Sequence, residues 1–409
     1  ERQPRDQVDS STGARNDSDY FSAPALRSLY FLFCSLKKGA VIETEHRLAI
    51  QNGTVKDLSR KIDWTDFAAE LSIDKNGLRV HNANLKAAGQ PYNIKAFLPK
   101  VSGETGWLEL SSRKLQARAE YSIEGGQARI HTAKATLPGI RATFDGRLHD
   151  WADTTLSLRG NAEICLEEAV RSLSEDLSLL KRLSGTLRGP FILNGALSRP
   201  LECEFKMDAK GPLVMLSGLK FDDFEVQVRY KKRLLNIPYI HAKFYGGTAG
   251  SRVLFNRAKP ETFFDSRSYM NNVDLSKLGP DWTPPLPKLS GTLTAQVALR
   301  GQQPRQETWR GQGVISVTRG YLFESKQFKE MGDLPLVRVE GLDVVTFRDM
   351  NGAFDIYDKK IHTEDLALSS DTVELALRGS LAFDGALDMM MGIQYSDDIL
   401  RGARDTGGI

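Results

Sequence analysis

A chain of 409 residues, 41% of them hydrophobic, is too apolar to be disordered and leaner than a large compact enzyme. Its formal net charge is only +3 and no concentrated basic stripe is present, which argues against nucleic-acid binding. Cys34, Cys165 and Cys203 lie far apart with no C-x-x-C, so a disulfide framework and a cysteine-rich zinc site are excluded.

Residues 1–24 are rich in Asp, Ser, Arg and Gln and read as a disordered segment or linker. Residues 25–37, ALRSLYFLFCSLK, suit one short helix or strand packed on the β units downstream, with an amphipathic membrane-surface helix as the alternative. Their apolar core, Leu29 to Cys34, is far too short to span a membrane. The chain opens on Glu1 rather than Met, so a fragment is expected, with an N-terminal anchor or signal outside this sequence.

From about residue 51 a unit recurs, with further copies near 108–148, 213–255 and from 311 onward. In each, an alternating strand meets a polar turn, and a second alternating strand leads to a glycine-containing turn. Asp74-Lys75-Asn76-Gly77, Glu124-Gly125-Gly126, Lys231-Lys232-Arg233 and Asp358-Lys359-Lys360 occupy the comparable turn. LSGTL occurs at 183–187 and again at 289–293, and Leu-Arg-Gly recurs at 158–160, 187–189, 299–301 and 377–379. Phe144-Asp145-Gly146 and Phe383-Asp384-Gly385 are read as closing comparable hairpins. Such repetition indicates a quasi-one-dimensional stack of β units over 25–310.

Helix is expected in few places. Residues 164–182 carry Leu166, Val170, Leu173, Leu177 and Leu180 on one face, with acids opposite. A shorter counterpart runs from Val273 to Leu278 and gives way to the stiff connector Trp282-Thr283-Pro284-Pro285-Leu286-Pro287. A third short helix is placed near Lys326–Met331.

The stretch 311–385 shows the strand pattern most plainly. Ile315 and Val317, Phe354 and Ile356, Leu366 and Leu368, and Val373, Leu375 and Leu377 each stand two apart. Met350-Asn351-Gly352 is read as a tight hairpin turn with positive φ. Reacting groups are not evident. Gly311-Gln312-Gly313 precedes a strand, which rules out a dinucleotide or phosphate loop, and Asp349, Asn351 and Asp355 lack a complete calcium loop. The histidines show no metal-ligand spacing, and His81, His131, His241 and His362 fall at similar strand positions, which suits a structural role. Neither a catalytic nor a cofactor site is expected.

The remaining signal is the alternation itself. Leu115, Ala117, Tyr121 and Ile123 face one way while Gln116, Arg118 and Glu120 face the other, and Val226 and Val228 continue the pattern. Such residues fill a β-sandwich or barrel core, or line a curved sheet whose apolar face stays open to acyl chains. Periodicity does not separate the two.

The run GQGVISVTRGYLF, then FKEMGDL, then FRDMNGAFDIYDKKIHTEDLALSSDTVELALRGSLAFDGALDM resembles the C-terminal region of AsmA-like proteins, over 311–390. The upstream repeats resemble the looser units of that family, which is similar to TamB and to bridge-like lipid transfer proteins. The resemblance implies a mainly β fold: an elongated, twisted antiparallel sheet of hairpin units forming a taco-like groove, with a few short helices. It divides the chain into a linker (1–24), repeated β units (25–310), an AsmA-like C-terminal region (311–395) and a tail (396–409). It further implies a non-enzymatic protein of the diderm periplasm, anchored in the inner membrane, that conducts phospholipid or supports outer-membrane biogenesis, with envelope proteins as possible partners. On that reading Leu115, Ala117, Tyr121, Ile123, Val226, Val228, Ile315, Val317, Phe354, Ile356, Val373, Leu375 and Leu377 line the groove. An outer-membrane β-barrel, and an envelope scaffold or adhesin with a closed β core, remain alternatives.

Overall fold

The computed structural model describes residues 46–57, 62–87, 90–150, 155–173, 182–196, 199–257, 261–282, 289–324, 344–370 and 373–395. The expectations for 1–24, 25–37, Lys326–Met331 and 396–409 lie outside these residues. The first strands are β1 (His46–Asp57), β2 (Ile62–Ile73), β3 (Gly77–Ala87), β4 (Gln90–Pro99), β5 (Thr105–Ser112) and β6 (Gln116–Glu124). They continue through β7 (Gln127–Leu137), β8 (Ile140–Asp150) and β9 (Thr155–Cys165) into helix α1 (Leu166–Leu173). Next come β10 (Leu183–Ala196), β11 (Glu204–Leu216), β12 (Leu219–Lys231), β13 (Leu234–Phe244), β14 (Gly247–Asn256) and β15 (Thr262–Asp274). The short helix α2 (Leu275–Leu278) leads to β16 (Ser290–Gln303) and β17 (Arg310–Glu324). The last strands are β18 (Val344–Tyr357), β19 (Lys360–Ser369), β20 (Val373–Ala382) and β21 (Leu387–Tyr395).

The protein is therefore mainly β, an antiparallel sheet of successive hairpins with two short α-helices among the described residues. Each strand of the runs β1–β6 and β10–β21 pairs with its neighbour in the chain. The residues cluster into two compact units. One comprises Glu1–His131, Arg147–Leu156 and Gly195–Pro200; the other comprises Thr132–Gly146, Ser157–Asn194 and Leu201–Ile409.

Local turn chemistry explains the hairpins. Gly125-Gly126, Lys232-Arg233 and Asp358-Lys359 each place two consecutive residues at positive φ, the backbone twist that joins strands in a two-residue turn. The same geometry occurs at Ser217-Gly218 and Tyr245-Gly246, which the sequence did not flag. At the β2–β3 turn the Asp74 carboxylate instead accepts hydrogen bonds from the N–H groups of Asn76 (2.8 Å) and Gly77 (3.0 Å). Phe383-Asp384-Gly385 also turns as expected, with Gly385 at φ 92°.

Two expected turns are not turns. Met350-Asn351-Gly352 lies inside β18, where the three residues pair with Val317, Ser316 and Ile315 of β17. Gly352 belongs there because a side chain would strike Leu366, its Cβ lying 2.8 Å from Leu366 Cα, at an irregularity in the β18–β19 register. Phe144-Asp145-Gly146 is likewise interior to β8. In both cases the glycine serves close strand approach, which local sequence does not distinguish from a turn.

The LSGTL repeat has a structural basis. Each copy sits at the start of a 14-residue strand, β10 or β16, after a β-strand and a short helix. The shared glycine adopts φ 125° at Gly185 and φ 118° at Gly291, and a register shift accompanies both. The preceding helices differ from expectation at one boundary. Ile164 and Cys165 belong to β9, and α1 begins at Leu166, because Cys165 N–H still bonds the Gly139 carbonyl (2.7 Å). The expected helix positions 174–181 lie outside the described residues.

Glycines elsewhere lie under aromatic rings on the facing strand. Gly106 pairs with Tyr121, Gly250 with Tyr269, Gly313 with Phe354 and Gly320 with Phe347. At Gly250 an added Cβ would lie 2.6 Å from the Tyr269 ring. The ring lies across the glycine backbone and shields it, an arrangement open to no larger residue.

Candidate functional site

The second unit carries a large apolar cluster. Strand register aligns Leu293, Val317, Met350, Leu368, Leu375 and Ile393 in one row across β16–β21. A second row on the same face runs Ala295, Ile315 and Gly352, then, across the irregular β18–β19 register where Gly352 meets Leu366, through Leu366, Leu377 and Met391. Same-face alignment follows from period two: residues two apart on a strand share a face, and each lies beside its directly opposed partner on the next strand. Ion pairs such as Arg378–Glu364 (2.8 Å) and Arg310–Asp358 (3.2 Å) hold exposed side chains elsewhere on these strands.

Exposure differs between the rows. At the middle of the first row Val317 (2%), Leu368 (3%), Leu375 (8%) and Met350 (9%) are buried, in one cluster with Leu275 and Leu278 of α2 and with Phe244, while Leu293 and Ile393 at its ends are half-buried. Ile315, Leu366, Leu377 and Met391 are half-buried and pack against that cluster. Towards the β18–β19 turn a further row, Ile356, Ile361, Leu381 and Leu387, goes from buried at Ile356 to 69% exposed at Leu387. Helix α2 contributes to the buried cluster. It is started by Asp274, whose carboxylate accepts from the Ser276 N–H (3.0 Å), and its Leu275 and Leu278 point into the cluster.

The other candidates fall in separate places. Val226 is buried in a second cluster with Met207, Ala209, Val214 and Leu187, and Val228, half-buried, packs on it with Leu166 at the start of α1. Phe354 is half-buried over Gly313. Val373 opens β20. In the first unit Ala117, Tyr121 and Ile123 of β6 are half-buried and alternate with exposed Gln116, Arg118 and Glu120. Leu115, also half-buried, precedes the strand, where its N–H bonds Ser112 Oγ (3.1 Å). Tyr121 donates to the Phe97 carbonyl (3.2 Å), and burial pushes its phenol well above the ordinary range.

The register thus brings together Ile315, Val317, Leu375 and Leu377, and separately Val226 and Val228. Sequence reasoning missed Met350 because it was assigned to a turn. It also missed Leu275 and Leu278 as the covering element, since they were read only as punctuation between strands.

The histidines are held in the sheet. Ser72 Oγ lies 2.8 Å from His81 Nε2, and Ser122 Oγ lies 3.0 Å from His131 Nε2, the same nine-residue offset in two hairpins. His241 meets the Tyr269 hydroxyl (3.0 Å), and His362 stacks on Tyr357 with ring centroids 3.9 Å apart. Among the described residues no group of three or more His, Cys, Asp or Glu side chains is placed to hold a metal ion. Nor is any helix among them long and apolar enough to cross a membrane.

Family models, curated proteins and solved structures were compared with the chain, and none matches. The functional reading rests on the chain's own geometry and on the motif resemblance of 311–390.

Proposed function

We propose that this protein binds phospholipid acyl chains on the half-covered apolar face of its sheet, and passes lipid along that face between the membranes of a diderm envelope. The observation that carries the reading is the falling burial across in-register apolar rows, from the Val317–Leu375 row to the Ile315–Leu377 row. The half-buried aliphatic side chains of Ile315, Leu366, Leu377 and Met391 leave apolar area in water. An acyl chain laid along them removes it, at about 0.8 kcal/mol per buried methylene. Headgroups stay in water, no covalent step is involved, and net direction comes from a partner or a lipid gradient. The resemblance to AsmA-like proteins supports the same assignment.

Within this reading Ile315, Leu377 and Phe354 of the second unit, and Ala117, Tyr121 and Ile123 of the first, are the lipid-facing candidates. Val226, Val317, Ile356 and Leu375 support the sheet from inside. Native mass spectrometry of protein purified without detergent is expected to show bound phospholipid, and Leu377→Asp to lose it while keeping the β-sheet circular-dichroism spectrum. A lipid-free wild-type protein that takes up no added phospholipid would overturn the proposal. A scaffold with a filled β core is the second reading, favoured by the burial of Val317, Leu368 and Leu375; it predicts that lipid-free result.

A further inference from the structure

A polar cavity of about 720 Å³ opens where β12, β13, β14 and β15 meet α2, its charged lining being Lys220, Lys243, Lys277, Asp222 and Asp281, with Thr248 and Asn271 beside them. The volume suits a small polar molecule or a headgroup rather than a single ion. Three ammonium groups around one cavity, with a hydroxyl and an amide, outnumber the two carboxylates that share the lining, Asp222 and Asp281. The cavity floor is the Gly246-Gly247 backbone, which opens β14 without side-chain bulk. Tyr245, also in the lining, stacks edge-on against Phe244, and Phe244 belongs to the buried apolar cluster beneath α2. The cavity therefore borders the closed end of the apolar face.

The three lysines are not held alike. Lys220 Nζ meets Asp281 Oδ2 at 2.9 Å, and Tyr245 donates to the same oxygen at 2.7 Å. Burial, and then Asp281, push the Tyr245 phenol up to about 12, so it stays a donor. That arrangement fixes one wall. Lys243 pairs with Asp223 (2.7 Å) and Lys277 with Asp274 (3.4 Å), and in both pairs each ammonium side chain is more than half exposed. Exposed pairs of this kind contribute about 0–1 kcal/mol, so both ammoniums are readily redirected to a stronger anion. Phosphate is that anion: it accepts charge-assisted bonds from several donors at once, and lysine binds it as a point charge without geometric demand.

We infer that this cavity is a phosphate-binding subsite, with Lys243 and Lys277 turning to the phosphate and Thr248 and Asn271 completing its donors. The phosphate comes either from a lipid headgroup or from a free phosphate compound. The first source rests on the lipid reading above; the subsite itself does not.

The test compares three probes on the full chain by calorimetry: dihexanoyl phosphatidylglycerol below its micellar concentration, the matching dihexanoylglycerol without phosphate, and inorganic phosphate. The wild type is expected to prefer the phospholipid over the phosphate-free lipid by about tenfold, the scale of one charge-assisted bond. In Lys243→Gln/Lys277→Gln the ratio should fall to near one, with thermal unfolding confirming the fold. Equal affinity of the wild type for both lipids, or an unchanged ratio in the double variant, overturns the subsite. If neither lipid binds, the acyl reading fails and inorganic phosphate decides. Binding that the double variant loses supports a free-phosphate site, and its absence in the wild type overturns it.

Discussion

The closed and half-open ends of the β16–β21 face share strands, residue types and alternation, yet their exposure differs. Val317 and Leu375 are sealed, whereas Ile315 and Leu377, two positions along the same strands, are not. Leu275 and Leu278 of α2 belong to the buried cluster at the sealed end. The first unit repeats the lesson within itself. Val80 (0%), Ala96 (1%) and Ile94 (2%) on β3 and β4 are sealed, while the apolar residues of β6 reach only half-burial. Alternation specifies that a face is apolar; an element placed on it decides whether it is core or surface.

The largest expected effect comes from putting charge into the sealed row. Val317→Asp should destabilise the second unit by more than about 3 kcal/mol, because an unpaired carboxylate has no water there. Leu377→Asp, able to reach solvent, should cost less than about 1.5 kcal/mol. Urea midpoints of the two variants decide the matter, and equal losses would erase the distinction between the ends.

Next in size is Gly291→Ala, in the second LSGTL copy. Its φ of 118° disfavours any side chain, and a Cβ would lie 2.9 Å from Val317 Cγ1, so about 1–3 kcal/mol should be lost. Gly185→Ala, with the same backbone in the first copy and the Leu213 carbonyl 2.5 Å from its Cβ, should lose a similar amount. Denaturation showing one copy tolerant and the other not would mean that the repeat is not structural.

Loosening the cover itself is milder. Asp274→Ala removes the cap of α2 and should cost about 1 kcal/mol, with faster hydrogen exchange of the Leu278 amide. The segment after α2 is also tied by Asp281, whose carboxyl is held below its ordinary range by Lys220 first and then by the Tyr245 hydroxyl. A depressed carboxylate contributes stability that is present at neutral pH and is lost as pH falls through its folded value. Asp281→Asn should therefore flatten the acid limb of the stability–pH profile, read from thermal midpoints, and an unchanged limb would refute the tie. The smallest effect is a gain. Arg233→Gly, at φ 65° in the β12–β13 turn, should stabilise by about 0.5–1 kcal/mol and leave both ends of the β16–β21 face unaltered.

Strand type and hairpin order were legible because period two survives locally, as at Gln116–Ile123, and because paired turn residues such as Lys232-Arg233 announce themselves. Gly352 and Gly146 were misread as turns, since a glycine that lets strands approach looks identical in one dimension to a glycine that reverses the chain. The candidate face was half legible. Ile315, Val317, Leu375 and Leu377 were rightly placed on strands, but register, not sequence, joins them. The cover by Leu275 and Leu278 depends on a four-residue helix too short to leave a periodic trace. The polar cavity drew its lysines from three separate elements, and no single stretch displayed it.

The pairing of each strand with its immediate predecessor within β1–β6 and β10–β21 has a consequence for biogenesis. A hairpin needs only the residues already synthesised, so each strand emerging from the ribosome meets a finished template rather than waiting for a distant partner. The newest strand is always the edge, and it is covered by the next one to arrive. Pairing of this kind keeps contacts local in sequence, which lowers the search cost that long-range strand pairing imposes. It also means that duplication of one hairpin lengthens the sheet without rethreading the rest.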